Sequence, residues 1–138
     1  MSEQCPAVPL APVAFPLANQ FYRTHRSRMR ARGHHRVLVL RDAAIFAALC
    51  LQPAAQGHWL TNLMVAPERR GLGWAGHLLA EARRMSEGPI WLFCHPELES
   101  FYQRAGYCRC EILPPALSER LARYRQSKPL IAMLHGGG

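Results

Sequence analysis

Two glycines set one residue apart, Gly71 and Gly73, follow the paired cations Arg69 and Arg70 and precede Trp74, Ala75 and Gly76. The chemistry open to this combination is anion binding. Glycine has no Cβ to obstruct a close approach, and it adopts positive φ without strain. Amide N–H groups exposed by such a turn, with arginine beside them, form a nest for phosphate oxygens. The effect is greatest where the turn opens a helix, because the first N–H groups of a helix lack partners and carry partial positive charge.

The flanking elements have the order this requires. Leu60 to Val65 is apolar apart from Thr61 and Asn62, and reads as a short strand closed by Ala66 and Pro67. From Trp74 onward, Ala75, Leu78, Leu79, Ala82 and Met85 recur at helical spacing and give one buried face. A lone Gly-x-Gly between strand and helix can equally be plain architecture. The nucleotide P-loop does not fit, since no Gly-Lys-Ser/Thr follows. A dinucleotide fingerprint would need an acidic residue ending a following strand about 20 residues on, and none stands there.

A second constellation lies downstream. Ile90 to Cys94 is a short apolar run of strand type, and Leu98 to Gly106 is a short helix stopped on glycine. Read together, the two stretches carry a resemblance. Val65-Ala66-Pro67-Glu68-Arg69-Arg70-Gly71-Leu72-Gly73-Trp74-Ala75 resembles the acyl-CoA-binding motif of the GNAT N-acetyltransferase superfamily, whose core, Arg/Gln-x-x-Gly-x-Gly/Ala, falls on Arg70 to Ala75. Phe101-Tyr102-Gln103-Arg104-Ala105-Gly106-Tyr107 resembles the family's later signature, Phe/Leu-Tyr-x-x-x-Gly-Phe/Tyr.

That resemblance implies an α/β (α+β) domain with a mixed, mostly antiparallel sheet flanked by helices, in which two parallel strands splay apart to hold acetyl-CoA. It implies cofactor contacts from Leu63, Met64 and Val65 on the strand and from Arg70, Gly71, Leu72, Gly73, Trp74 and Ala75 in the loop. Tyr102 matches the family's usual proton donor to the CoA sulfur; a tyrosine packed under the pantetheine is the other reading. An unperturbed phenol, with a pKa of about 10, is still protonated at neutral pH. The acceptor side falls to Tyr22, Arg26, Asn62 and His95. The implied reaction is direct acetyl transfer to a primary amine of a small-molecule acceptor, for which the charge balance below favours an anionic one. An acyl-CoA-binding module without turnover, and acetylation of a peptide or protein amine, are the alternatives.

No carboxylate precedes the loop where many relatives place a base; His58 and His95 are the titratable groups near the two strands, and solvent could take the proton instead. Cys94 is either a nucleophile or an inert buried thiol. Cys108 and Cys110 share a strand face, but two thiols make no zinc site, and no metal is expected.

Composition narrows the partners. Seventeen basic residues against nine acidic give +8, and every basic residue except Lys128 is arginine. That balance favours CoA phosphates, nucleic acid or an acidic acceptor and disfavours a polycation. No helix-turn-helix, zinc-finger spacing or aromatic stripe appears, which leaves nucleic acid a minor reading. The length suits one domain over residues 1–138. No apolar run is long enough to span a membrane, no signal-peptide pattern opens the chain, and five cysteines form an odd, unpatterned set. A cytoplasmic protein is expected. Oligomeric state is open, a homodimer included.

The remaining elements read as follows. Val8 to Leu10 is a weak strand. Pro16 starts a helix that presents Ala18, Phe21, Tyr22, His25 and Met29 on one face and runs to about Arg30. Arg36 to Arg41 and Ala44 to Leu51 are strands joined at Asp42 and Ala43, the second apolar throughout as if covered on both faces. Gln52 to Gly57 is a loop. Residues 108–113 alternate as a strand, Leu117 to Tyr124 forms a short helix, and Leu130 to Leu134 is a last strand.

Overall fold

The computed structural model describes residues 5–136. Strands β1 (Val8–Leu10), β2 (Arg36–Arg41), β3 (Ile45–Ala54), β4 (Gly57–Val65), β5 (Ile90–Cys94), β6 (Cys108–Arg109) and β7 (Ile131–His135) hydrogen-bond in the order β1-β2-β3-β4-β5-β7-β6. The sheet is mixed, mostly antiparallel with one parallel pair, and helices flank it. These helices are α1 (Phe15–Thr24), α2 (Trp74–Arg84), α3 (Glu99–Arg104) and α4 (Pro115–Tyr124). The chain divides into two compact units, Met1–Gln52 with Leu60–Met85 and Pro53–Trp59 with Ser86–Gly138.

In the first unit, β2 pairs antiparallel with β1 and with β3. Val37 to Leu40 and Phe46 to Leu51 are buried without interruption. That is the mark of strands covered on both faces, as the apolar run from Ala44 foretold. Helix α2 buries Leu78, Leu79 and Ala82, three members of its apolar repeat. Helix α1 buries Phe15, Ala18, Phe21 and Tyr22.

The expected extension of α1 to Arg30 does not form. The helix stops at Thr24 because Arg26 takes φ 60°. Its N–H donates to Arg23 O at 2.9 Å, and Ser27 N–H donates to Tyr22 O at 2.9 Å. This two-bond C-terminal cap usually has glycine at the left-handed position. With arginine there, sequence gave no stop signal. Met29 consequently leaves the apolar face and is exposed.

In the second unit, β7 pairs antiparallel with β5 and β6. Trp59, Trp91 and Leu117 form its core cluster, with Phe93, Leu113 and Leu134 packed around them. Two expectations fail here. The loop expected over Gln52 to Gly57 is mostly strand: β3 continues to Ala54, and β4 begins at Gly57 after a turn in which Ala55 takes φ 50°. Gly57 tolerates no side chain, since a Cβ there would come within 2.0 Å of Pro89 O. The strand expected over residues 108–113 shrinks to Cys108–Arg109. Cys110 N–H still bonds Ala132 O at 2.9 Å, after which Pro114 and Pro115 turn the chain into α4.

Candidate active site

Strand β4 is regular until Asn62, which stands in the left-handed region at φ 60°. Asparagine tolerates this conformation better than most residues, and three contacts fix it here. The Tyr22 hydroxyl donates to Asn62 O at 2.6 Å. The Asn62 amide Nδ2 donates to Arg30 O at 3.1 Å and lies 3.5 Å from Cys50 Sγ. Tyr22 is wholly buried, and that burial pushes its phenol far above the usual range, with Cys50 adding to the effect. Tyr22 therefore stays neutral and grips the bulge from within the core. Leu63 and Met64, the next residues of β4, are half-buried, and Val65 is buried.

Beyond Val65 a single turn of tight helix, Pro67–Arg69, leads into the glycine loop. Gly71 and Gly73 both take positive φ, 79° and 88°, as their residue type allows. Gly73 is the N-cap of α2 and offers no side-chain cap. The first backbone bond back into the loop is His77 N–H to Gly73 O, at 3.0 Å. The amides of Gly71 to Gly76 therefore have no acceptor among the described residues. A Cβ at Gly71, Gly73 or Gly76 would meet nothing within 4 Å, so the loop is uncrowded at these three positions.

The two arginines before the loop have separate tasks. Arg70 Nε donates to Val65 O at 2.9 Å and ties the loop to the end of β4. Arg69 is not free to join the nest, as the sequence suggested it would be. It pairs with Asp42 and lies 4.0 Å over the Phe46 ring. The hydrogen bond from Arg69 holds the Asp42 carboxyl below the usual range. Phe46 also takes the Trp74 ring edge-on at 5.1 Å. Trp74 thus braces α2 against β3.

The second unit holds the later motif. Tyr102, on α3, is buried between Phe101 and Tyr107, whose ring centroids lie 4.9 and 5.9 Å away. Burial first, and Cys94 second, push its phenol up to about 12. Its hydroxyl has no hydrogen-bond partner among the described residues, yet it is not one of the fully sealed polar atoms. A neutral O–H donor with an unused proton is the result. Cys94 is 5% exposed and points at Met133 Sδ, 3.7 Å away. Burial raises its thiol to about 11, which keeps it protonated and a poor nucleophile at neutral pH.

His95 caps the helical turn Pro96–Leu98, its Nδ1 accepting from Glu97 N–H at 3.2 Å. In the neutral ring the proton then sits on Nε2, which makes that nitrogen a donor. Gly106, at φ 98°, ends the motif; a Cβ there would lie 2.8 Å from His135 Nε2. Arg26 is exposed at the end of α1. Sequence reasoning missed Cys50 and the Arg30 carbonyl, which complete the support of Asn62. A buried cysteine and a backbone oxygen leave no pattern to find.

Residues 33–109 match the family model for the acetyltransferase (GNAT) domain, more than half of the chain. The chain belongs to the GNAT acetyltransferase family. No curated protein matches it, but solved structures share its fold. An aminoglycoside 6′-N-acetyltransferase complexed with coenzyme A superposes with a TM-score of 0.69 at 14% identity, over 94% of this chain and 96% of that one. A ribosomal-protein alanine N-acetyltransferase from Escherichia coli gives 0.68 at 14% identity, over 96% and 93%. The N-acetylglutamate synthase of Neisseria gonorrhoeae, complexed with coenzyme A and N-acetyl-glutamate, gives 0.62 at 17% identity. There the match covers 92% of this GNAT chain but only 32% of the longer synthase. At these identities the likeness is one of fold. Among the described residues no helix is long and apolar enough to cross a membrane, and no three side chains group as metal ligands.

Proposed function

We propose that this GNAT domain is a single acetyltransferase unit that transfers acetyl from acetyl-CoA directly to the primary amine of an anionic acceptor, in the cytoplasm. The observation that carries the reading is the run of unpartnered amides from Gly71 to Gly76, in an uncrowded loop at the start of α2. Six donors and a helix N-terminus match a pyrophosphate. Arg70 holds the loop in register with β4, and Leu72, Gly73, Trp74 and Ala75 complete the cradle. Asn62, with Leu63, Met64 and Val65 after it, presents β4 backbone to the pantetheine arm, its carbonyl kept in place by Tyr22.

Acetyl-CoA, when bound, supplies the activated acyl group; the chain's own residues supply position and a proton. Tyr102 is the proton donor to the departing thiolate: it is neutral well past neutral pH and its O–H is uncommitted. The amine arrives neutral: His95 Nδ1 is engaged by Glu97 N–H, the Cys94 thiol is protonated, and solvent takes the proton beforehand. Direct transfer follows, since the same thiol is no acyl carrier.

Isothermal titration with acetyl-CoA tests the premise, with binding in the micromolar range expected; its absence would remove the reading. Thiol release across an amine panel separates an enzyme from a binding module. Tyr102→Phe should lower kcat by about 10²-fold, a usual size for loss of a general acid, with little change in affinity for acetyl-CoA. An unchanged rate would reject the proton-donor role.

A further inference from the structure

Between α1 and β2 the chain runs through His25 to His35 without a regular element, and this segment holds a concentration of charge the reaction above does not use. Residues 23–36 contain Arg23, Arg26, Arg28, Arg30, Arg32 and Arg36 and no carboxylate. Arg26, Arg28, Arg30 and Arg32 are exposed, and none has an ion-pair partner among the described residues. Like charges packed this closely repel, and a segment with only that to guide it would splay into solvent.

The backbone is nonetheless held. Ala31 is 4% exposed, and its N–H donates to Asn19 Oδ1 on α1 at 2.7 Å. Asn19 Nδ2 returns a long contact of 3.5 Å to Ala31 O. The neighbouring Arg30 carbonyl accepts from Asn62 Nδ2, and Met29 N–H bonds Ser27 Oγ at 3.1 Å. The segment is thus pinned to α1 and to the bulge of β4, at the strand assigned above to the thioester. Along it, exposed Arg28, Arg30 and Arg32 alternate with Met29 and buried Ala31.

We propose that this segment is a rail for the acceptor, and that the acceptor is the amino end of an acidic peptide with carboxylates at alternate positions. The inference rests on the acetyl-transfer reading and narrows its acceptor. Arginines at alternate positions of a pinned backbone offer one cation for each carboxylate of a peptide whose acids also alternate, each pair able to form two parallel hydrogen bonds. A single-stranded nucleic acid fits less well, because residues 23–36 hold no Phe, Tyr or Trp and their histidines are engaged in ring contacts, His25 with Phe21 and His34 with His35. A second copy of the same segment is excluded by its own charge.

The test uses two hexapeptides with free amino termini, Ala-Glu repeated three times and Ala-Gln repeated three times, with a 5′-amino oligonucleotide as the third arm. Thiol release with acetyl-CoA should favour the acidic peptide over its amide twin by at least tenfold in kcat/KM. The preference should shrink as salt rises and vanish in an Arg28→Glu, Arg30→Glu, Arg32→Glu variant. Fluorescence anisotropy of the labelled acidic peptide, on protein without coenzyme, reads the rail independently of turnover, and coenzyme titration of the same variant reads the cofactor site alone. If coenzyme A fails to bind while the acidic peptide does, the acetyl-transfer reading falls and the rail stands. Equal binding of the two peptides, tighter binding of the oligonucleotide, or a preference that survives charge reversal would overturn the rail.

Discussion

Tyr22→Phe isolates the bond that holds the active strand in its irregular shape. The substitution removes one hydroxyl and leaves the ring, which is wholly buried, so no appreciable cavity forms. What is lost is the 2.6 Å bond to Asn62 O. A buried acceptor left unsatisfied costs about 1 to 3 kcal/mol, and because Asn62 is only part-buried, water recovers some of it. A loss of about 1 to 2 kcal/mol follows, which for a chain of this length lowers Tm by roughly 3 to 8 °C. Activity carries the more specific signature. With the carbonyl released, Asn62 at φ 60° relaxes toward extended backbone and misdirects the β4 groups that follow it. In steady-state thiol release kcat should fall severalfold, while the affinity for acetyl-CoA, which we assign to the glycine loop, stays within about twofold. Asn62→Gly, which adopts positive φ unaided, should make the loss of the hydroxyl less costly, with a coupling of at least about 0.5 kcal/mol between the two sites. Additive effects, or a Tyr22→Phe protein with unaltered Tm and kcat, would refute the bond's assigned role.

Other outcomes follow from the same geometry. Gly106→Ala should destabilise by about 1 to 3 kcal/mol in thermal unfolding, because it combines positive φ with a methyl 2.8 Å from His135. Arg26→Gly should do the reverse and raise Tm by a few degrees, glycine being the natural occupant of the left-handed position after α1. The Tyr102 phenol, raised to about 12, holds its proton more tightly folded than unfolded. Its contribution to stability is therefore complete below about pH 10 and is lost as pH climbs from there toward 12. Spectroscopic titration should show Tyr22 and Tyr102 resisting ionisation beyond pH 10, and the pH–rate profile should rise with the free amine and show no falling limb from the phenol below pH 10.

The strand, glycine loop and helix from Leu60 to Arg84 were legible in the sequence because their physics is local. Gly71 and Gly73 announce positive φ, Pro67 and Trp74 bracket the turn, and the repeat through Leu78, Leu79 and Ala82 fixes the helix that follows. The Phe101 to Tyr107 motif was legible for the same reason, its glycine taking φ 98° in the turn that ends α3, where Tyr107 N–H donates to Tyr102 O. The end of α1 and the irregularity of β4 at Asn62 were not. Arg26 stops α1 in a conformation its residue type disfavours, and only the tertiary bonds around it make that tolerable, so a propensity reading ran the helix on. Asn62 read as a polar interruption of a strand. That it is a bulge gripped by Tyr22, Cys50 and Arg30 depends on residues 40, 12 and 32 positions away, a distance across which sequence patterns do not reach.

The distribution of charge ties these observations together. A net charge of +8 could be an even coat, yet the structure sorts it. Arg69, Arg84 and Arg109 have carboxylate partners, and Arg70 spends its Nε on Val65 O. The exposed arginines of the segment between α1 and β2 have no ion-pair partner among the described residues, and the side chains that pin its backbone from other elements are two neutral amides. At Ala31 the amide accepts the N–H and also points a donor at the carbonyl, which a carboxylate cannot do; at Arg30 the acceptor is a carbonyl, which a carboxylate cannot serve either. Aspartate at either position would forfeit a contact and cancel part of the field. Holding the loop with asparagine fixes its shape while leaving its potential intact, which is what a surface that must attract a negative acceptor requires.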